Sequence, residues 1–451
     1  MTKLSGFPEF LPAERNVGLV VLDHLRSVFG LHGFASIETR AVEPMDTLLR
    51  KGEIDKEVYT IRRLHAADGD GGGDRGDVLA LHFDLTVPFA RYVVENAGKL
   101  DFPFRRYQIQ KVWRGERPQQ GRFREFVQAD IDIVAKDELP IHFDVEIAQV
   151  MAEALAGLPV PPLTLQVSNR KILEGFYLGL GITEPTAVMP IVDKLDKVPA
   201  DKIALLLQSD AGLTAAQAAS CLALAGISAA DDSFVAAVRA LGVTHPLLDE
   251  GLEELRRVVV GAAGADGVEV VADLRIARGL DYYTGTVFET RMARYEHLGS
   301  ICSGGRYDQL ASDGKATYPG VGISLGVSRL LVPLIADGLT ADRSVPSAVL
   351  VALIDEDTRP ASVAVAVALR ARGIPTEVAA SAQKYGKQIR NAERRGIPFV
   401  WFPAPLDSED EHQVKDIRSG DQADADPATW APAATDLKPR ILTPPAKEQN
   451  T

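Results

Sequence analysis

A chain of 451 residues is too long for one ordinary hydrophobic core and calls for two or three domains. With 46% hydrophobic and 25% charged residues its composition is globular, which excludes a disordered chain. A net charge of -13 excludes indiscriminate nucleic-acid binding over the whole surface but leaves room for a local basic groove. The two cysteines, Cys221 and Cys302, lie far apart with no CxxC or neighbouring histidines, so neither a zinc site nor a disulfide framework is expected. No signal peptide and no apolar run of membrane-spanning length is visible, and a cytoplasmic protein with no membrane association is expected.

Taken in order, residues 13 to 32 set Val17, Val20, Val21, Leu25 and Val28 at helical spacing before Gly33, predicting an amphipathic helix. A strand over Ala35 to Val42, a break at Glu43-Pro44 and a short polar helix from Met45 follow. ADGDGGGDRGD, before Ala80, reads as a surface loop. In LALHFDLTVPFARYV, Asp84 and Thr86 end an apolar run just before Val87-Pro88. Two readings stand there: a helix cap, or a carboxylate and hydroxyl placed to receive an ammonium group.

Val112 to Asp132, VWRGERPQQGRFREFVQADID, joins two stretches of strand-like alternation across a break at Pro118 to Gly121, which predicts a hairpin. Beyond the break, Arg124, Phe126, Gln128, Asp130 and Asp132 share one face, and Val127, Ala129, Ile131 and Ile133 the other. A solvated outer face and a binding strip fit this pattern equally. A helix from Ile141 to Ala156 and a strand from Leu163 to Ser168 come next, and residues 170 to 262, rich in Ala and Leu at helical spacing, read as a helical insertion.

Three glycine-studded segments, each with an arginine, follow: ARGLDYYTG around Arg278, SGGRYD around Arg306, and GVGISLGVSRL ending near Arg329. Glycine admits close backbone approach, arginine offers a fixed fork for carboxylate or phosphate, and Tyr282 with Tyr283 makes a polar-tipped aromatic wall. None matches a phosphate-loop or dinucleotide fingerprint. After a linker at 341 to 347, strand and helix alternate through Phe402, implying a small α/β domain. Its second helix carries Lys384, Lys387, Arg390, Arg394 and Arg395, either a solvated face or a local polyanion contact. From about Asp421 the chain, with Ala, Pro and Asp and little periodicity, reads in part as a tail.

These motifs, in this order, resemble the histidyl-tRNA synthetase family of class II aminoacyl-tRNA synthetases. RGERPQQGRFREFVQAD resembles the class II second motif in its histidine-specific form, ARGLDYY and SGGRYD the two histidine-specific motifs, and GISLGVSRL the third class II motif. The resemblance runs from about Gly6 to about Gln422. It implies an α+β and α/β multidomain protein: a class II antiparallel-sheet catalytic domain (1–169 and 263–338), a helical insertion (170–262), a C-terminal α/β anticodon-binding domain (347–430) and a tail (431–451).

The implied reaction joins L-histidine and ATP, with Mg²⁺ bridging the phosphates, into histidyl-adenylate, then moves the histidyl group to the 3' end of tRNA(His). The resemblance assigns Asp84, Thr86 and Gln128 to the α-amino group, Asp132 and Tyr283, with Tyr282 beside it, to the imidazole, and Arg114 and Arg278 to the carboxylate and α-phosphate as catalytic residues. Arg278 would stand in for a metal as a fixed cation. ATP would be held by Arg114, Glu116, Arg122, Phe126 and Arg329, and tRNA by Lys384, Lys387 and Arg394; no side chain is assigned to a metal. The family also implies a homodimer, although Arg40 stands where the first class II motif carries its interface proline, and Asp84-Leu85-Thr86 replaces a common Glu-Gly-Thr. The alternative is a synthetase-like regulatory subunit of ATP phosphoribosyltransferase, which generally lacks the catalytic arginines and the anticodon-binding domain.

Overall fold

Apolar residues at helical spacing near the start form α1 (Pro12–Leu31), which buries Val17, Val21, Leu25 and Val28. In this computed structural model residues 4–49, 57–63, 78–276, 282–312, 314–404 and 411–443 are described. The chain forms two compact units, one of residues up to Pro8 and His24–Pro333, the other of Glu9–Asp23 and Leu334 onward. The Gly/Asp loop at 68–77 lies outside the described residues.

In the first unit the strand expected over 35–42 is two pieces, β1 (Ala35–Ser36) and β2 (Val42–Pro44). Glu43-Pro44 is therefore no break. It lies within β2, where the fully buried Glu43 carboxylate is held by Arg40 at 2.9 Å and Arg91 at 2.8 Å. After α2 (Met45–Leu48), β3 (Thr60–Ile61) and β4 (Leu79–Leu81) complete a three-stranded sheet of order β2-β4-β3. Then come α3 (Thr86–Asn96), β5 (Phe104–Trp113), β6 (Glu125–Val134), α4 (His142–Ala156) and β7 (Leu163–Asn169).

Residues 170–262 carry α5 (Arg170–Gly179), α6 (Pro185–Val192), α7 (Ala200–Ser209), α8 (Ala215–Ala225), α9 (Ser233–Arg239) and α10 (Pro246–Ala262). One two-residue strand in this stretch, β8 (Ser228–Ala229), hydrogen-bonds to β9 (Val268–Asp273), so the segment is not wholly helical. The unit closes with β10 (Tyr283–Met292), β11 (Cys302–Tyr307), β12 (Gly320–Gly326) and most of α11 (Val327–Ala336).

Nine of these strands make one sheet of order β1-β5-β6-β12-β11-β10-β7-β9-β8. From β5 to β7 every neighbouring pair is antiparallel; β1 on β5 and β9 on β7 are parallel. Alternation along β6 puts Ala129, Ile131 and Ile133 on a fully buried face crossed by α4. Burying each isoleucine there contributes about 1.5–3 kcal/mol. Gln128, Asp130 and Asp132 take the other face, and Gly322 on β12 lies opposite Asp132 in the ladder. A Cβ on Gly322 would lie 2.2 Å from Asp132 Oδ1, so the glycine makes room for the carboxylate.

The same alternation separates the arginine of SGGRYD from its neighbours. Tyr307 turns to Asp132, whereas Arg306 turns to the opposite face and pairs with the fully buried Asp144 of α4 at 2.6 Å. Arg306 is a core residue.

In the second unit, β13 (Thr340–Ala341) precedes β14 (Val349–Val351), α12 (Arg359–Ala371), β15 (Thr376–Val378), α13 (Tyr385–Arg395), β16 (Phe399–Phe402), β17 (Gln413–Asp416) and β18 (Gln422–Asp424). The sheet order is β15-β14-β16-β17-β18, with the first three strands parallel and the last two antiparallel. The segment expected to trail as a tail is folded as far as 443. Trp430 packs on the fully buried Trp401 with ring centroids 5.4 Å apart, Arg418 binds the Asp436 carboxylate at 2.7 Å, and β19 (Ile441–Leu442) pairs with β13. Three local anchors do here what periodicity does elsewhere. No helix among the described residues is long and apolar enough to cross a membrane.

Stranding one partner of a buried ion pair is strongly destabilising, so Arg306→Ala is expected to lower stability by about 3–5 kcal/mol, as read by urea unfolding. Unfolding at the parent midpoint would show that Asp144 does not depend on this arginine.

Candidate active site

The hairpin is there: β5 and β6 run antiparallel from Phe104 opposite Val134 to Trp113 opposite Glu125. Its tip turns at Gln120-Gly121, where Gln119 and Arg122 exchange backbone bonds of 3.3 and 2.9 Å and Gly121 takes a φ of +73°. Arg114, just past β5, is fixed by its Nε donating to the Phe83 carbonyl at 3.3 Å, and its guanidinium lies 4.3 Å from the Phe83 ring centre and 5.1 Å from that of Phe126.

Two cavities meet along this strip. Asp84, Thr86, Arg114, Gln128, Asp132, Tyr282 and Tyr283, the described residues assigned above to histidine, all line one of them. Arg114, Glu116, Arg122, Phe126 and Arg329, those assigned to ATP, all line the other. Arg114, Gln128, Ser303 and Ser324 border both. Arg278 lies outside the described residues.

Asp84 is engaged at the start of α3 and also faces a cavity. Its Oδ1 accepts from the Val87 N–H at 3.2 Å in the first turn of α3, and its carboxylate also borders the first cavity. Asp132 is buried with Tyr307 donating to Oδ1 at 2.7 Å and Arg106 ion-paired to Oδ2 at 2.6 Å. Arg106 is fully buried, 4.2 Å from the centre of the Phe89 ring. Burial nonetheless pushes the Asp132 carboxyl up to about 6, Arg106 and Tyr307 opposing it, and that of Asp130 up to about 7, chiefly by desolvation and against the pull of Arg106. A cavity of this kind favours a ligand that brings positive charge.

The second cavity has the opposite character. Arg329 donates to the Leu298 carbonyl, and burial first, then the like charges of Arg122 and Arg114, hold it below its ordinary value. Glu116 pairs with Arg122 at 3.1 Å and is the only carboxylate among the described lining residues. Clustered arginines without matching carboxylates favour a polyanion. No group of three or more His, Cys, Asp or Glu side chains placed to hold a metal occurs among the described residues.

Several residues of the site carried no assignment from sequence: Asp130, Arg106, Ser303 and Ser324, with Tyr307 quoted only as part of its motif. Alternation already put Asp130 on the polar face of β6, and that signal sufficed to find it. Nothing in the local pattern of β5 distinguishes Arg106 from Arg105, whose partner is Glu146 at 2.7 Å. In the second unit Lys384, Lys387, Arg390 and Arg394 are exposed, whereas Arg395 is held by Glu377. Lys387, Arg390 and Arg394 line one groove beside β15.

A broad antiparallel sheet with adjoining cavities on its polar face, one anionic and one cationic, followed by a separate α/β unit, is the architecture of a class II aminoacyl-tRNA synthetase. The family model for histidyl-tRNA synthetase matches residues 6–330, and that for an anticodon binding domain residues 348–428. The histidine–tRNA ligase of Cutibacterium acnes is 58% identical over 448 residues, covering 97% of this chain and 98% of that one. The Micrococcus luteus histidine–tRNA ligase is 57% identical over 97% of this chain and 98% of its own length. Among solved structures, histidyl-tRNA synthetase from Nostoc sp. PCC 7120 superposes with a TM-score of 0.82 at 32% identity, covering 94% of this chain and 96% of that one. The chain belongs to the histidyl-tRNA synthetase family and is an aminoacyl-tRNA ligase. These relatives favour the ligase over the regulatory subunit; a Bacillus halodurans chain described as an ATP phosphoribosyltransferase regulatory subunit/histidyl-tRNA synthetase, 20% identical with a TM-score of 0.70, shares the fold alone.

Burial raises the Asp130 carboxyl from 3.8 to about 7, so its contribution opposes folding progressively as pH rises from about 4 and is fully developed above about 7. Asp130→Asn is therefore expected to melt a few degrees above the parent at pH 8, with the gap narrowing as pH falls through about 7 towards the unfolded value of 3.8, below which the carboxyl is protonated in both states. Thermal melts across that range check the sign; a variant less stable at pH 8 contradicts it.

Proposed function

We propose that the chain ligates histidine to its tRNA by holding histidine in the carboxylate-lined cavity and ATP in the arginine-lined one, so that they react beside Arg114. The observation that supports this is the joining of two cavities of opposite charge at one arginine. Asp84, Thr86 and Gln128 take the α-ammonium. Asp132, Tyr283 and Tyr282 read the imidazole, whose loss would strand buried polar groups. Phe126 and Arg329 hold adenine by stacking, Glu116 its edge, and Arg122 the β- and γ-phosphates.

An oxygen of the histidine carboxylate attacks the α-phosphorus, the bond to the bridging oxygen breaks and pyrophosphate leaves. Arg114 and Arg278 stabilise the charge that develops at the α-phosphate, and no side chain acts as a covalent nucleophile. Mg²⁺ enters with ATP as part of the substrate, its ligands largely phosphate oxygens. Residues 347–430 meet the anticodon part of the tRNA, with Lys384, Lys387 and Arg394 on its phosphates. The residues 170–262 are read as an insertion in the catalytic domain. The enzyme is read as a cytoplasmic homodimer, a property the family brings and sedimentation of the purified chain tests.

ATP–pyrophosphate exchange that depends on histidine is the expected result, and a folded, purified chain showing none would refute the reading. Arg278→Ala is expected to slow adenylation by orders of magnitude while leaving histidine affinity within a modest factor; adenylation near the parent rate would remove Arg278 from the chemistry. Charge reversal at Lys387 and Arg394 should weaken tRNA binding and flatten its salt dependence. Unchanged affinity at low salt would take the basic helix out of the interface.

A further inference from the structure

We propose that Asp130 and Ser324 are positioning residues that decide which end of the Gln128 amide faces the amino-acid cavity, and thereby make it select an α-ammonium. The proposal rests on the reading of Gln128 as a contact of the α-amino group.

Asp130 and Ser324 are register partners across β6 and β12, and Gln128 is the next residue on the same face of β6. The Ser324 hydroxyl donates to Asp130 Oδ1, and Gln128 Nε2 donates to Ser324 Oγ at 2.6 Å. Above about pH 7, where Asp130 is ionised, its carboxylate can only accept. The single hydroxyl proton of Ser324 is therefore committed to Asp130, its oxygen is left with lone pairs alone, and the amide must turn its NH₂ towards it. Gln128 Oε1 is then the free end, buried and without a hydrogen-bond partner among the described residues, in a side chain that lines the cavity. A buried unmet acceptor is relieved by a donor, and an ammonium supplies the strongest one.

The relay has a direction only because its terminus is a carboxylate. In Asp130→Asn the terminal group donates as well as accepts, Ser324 can point its proton at Gln128, and the amide can turn its NH₂ into the cavity against an incoming cation. Asp84, Asp132, Arg106 and Arg114 also bear electrostatically on Asp130 and are unchanged in that variant. Asparagine of the same shape would pack equally well, so what the carboxylate adds is the direction of the relay.

The test compares histidine with its α-hydroxy analogue, imidazole-lactate, whose hydroxyl both donates and accepts and is indifferent to the amide's direction. At pH 8, where Asp130 is ionised, Asp130→Asn and Ser324→Ala are each expected to raise the histidine KM in ATP–pyrophosphate exchange by about tenfold or more. The inhibition constant of imidazole-lactate and the KM for ATP should stay within about threefold. Equal weakening of both ligands would mean general damage to the cavity and overturn the relay, as would no change for histidine. Gln128→Ala separates the two levels: if it raises the histidine KM while Asp130→Asn does not, the site reading stands and the relay falls; if it leaves that KM unchanged, both fall.

Discussion

Everything in the first unit answers to one constraint: a single strand, β6, must bury apolar groups on one side and carboxylates on the other. The apolar side is ordinary, with Ala129, Ile131 and Ile133 under α4. The polar side is costly, because Asp130 and Asp132 are two residues apart on the same face of β6 and almost out of reach of water. The neighbouring strands are built around that cost. Gly322 makes room, Tyr307 and Ser324 donate, and Arg106 from β5 neutralises. The result is a preformed cavity with a standing demand for positive charge, as the amino group of an amino acid supplies.

Arginines divide the same way. Arg106 and Arg306 are spent on buried carboxylates inside the protein, and their job is to let Asp132 and Asp144 stay where they are. Arg114 and Arg329 each donate to one backbone carbonyl, Arg114 also lying against the Phe83 and Phe126 rings and within electrostatic reach of Asp84 and Glu116, and both border the second cavity. Cations held in place largely by neutral groups keep charge available for an anionic ligand.

Much of this was legible before any coordinates. The hairpin, its two-faced second strand, the helical stretch after residue 170 and the strand–helix alternation from 349 to 402 follow from periodicity, which reports local burial faithfully. The misread places have local causes. Glu43-Pro44 looked like a break because neither residue suits a strand interior, yet two arginines from elsewhere in the unit hold the buried carboxylate in an edge strand. The end of the chain looked like a tail because its anchors, Trp430, Asp436 and Ile441, are single residues without a repeat.

By itself the sequence determined the alternation that makes β6 two-faced, the order of the motifs, and through them the family and its chemistry. Tertiary structure decided which charges are partners and which are available. Side chains of one type look alike in a string of letters, and only the register of β6 against β5 and β12, together with the packing of α4, turns Arg306 inwards, sets Arg106 on Asp132, and directs the Asp130 relay at Gln128. The register against β12 is a long-range property: it pairs residues some two hundred positions apart, and no local pattern encodes it.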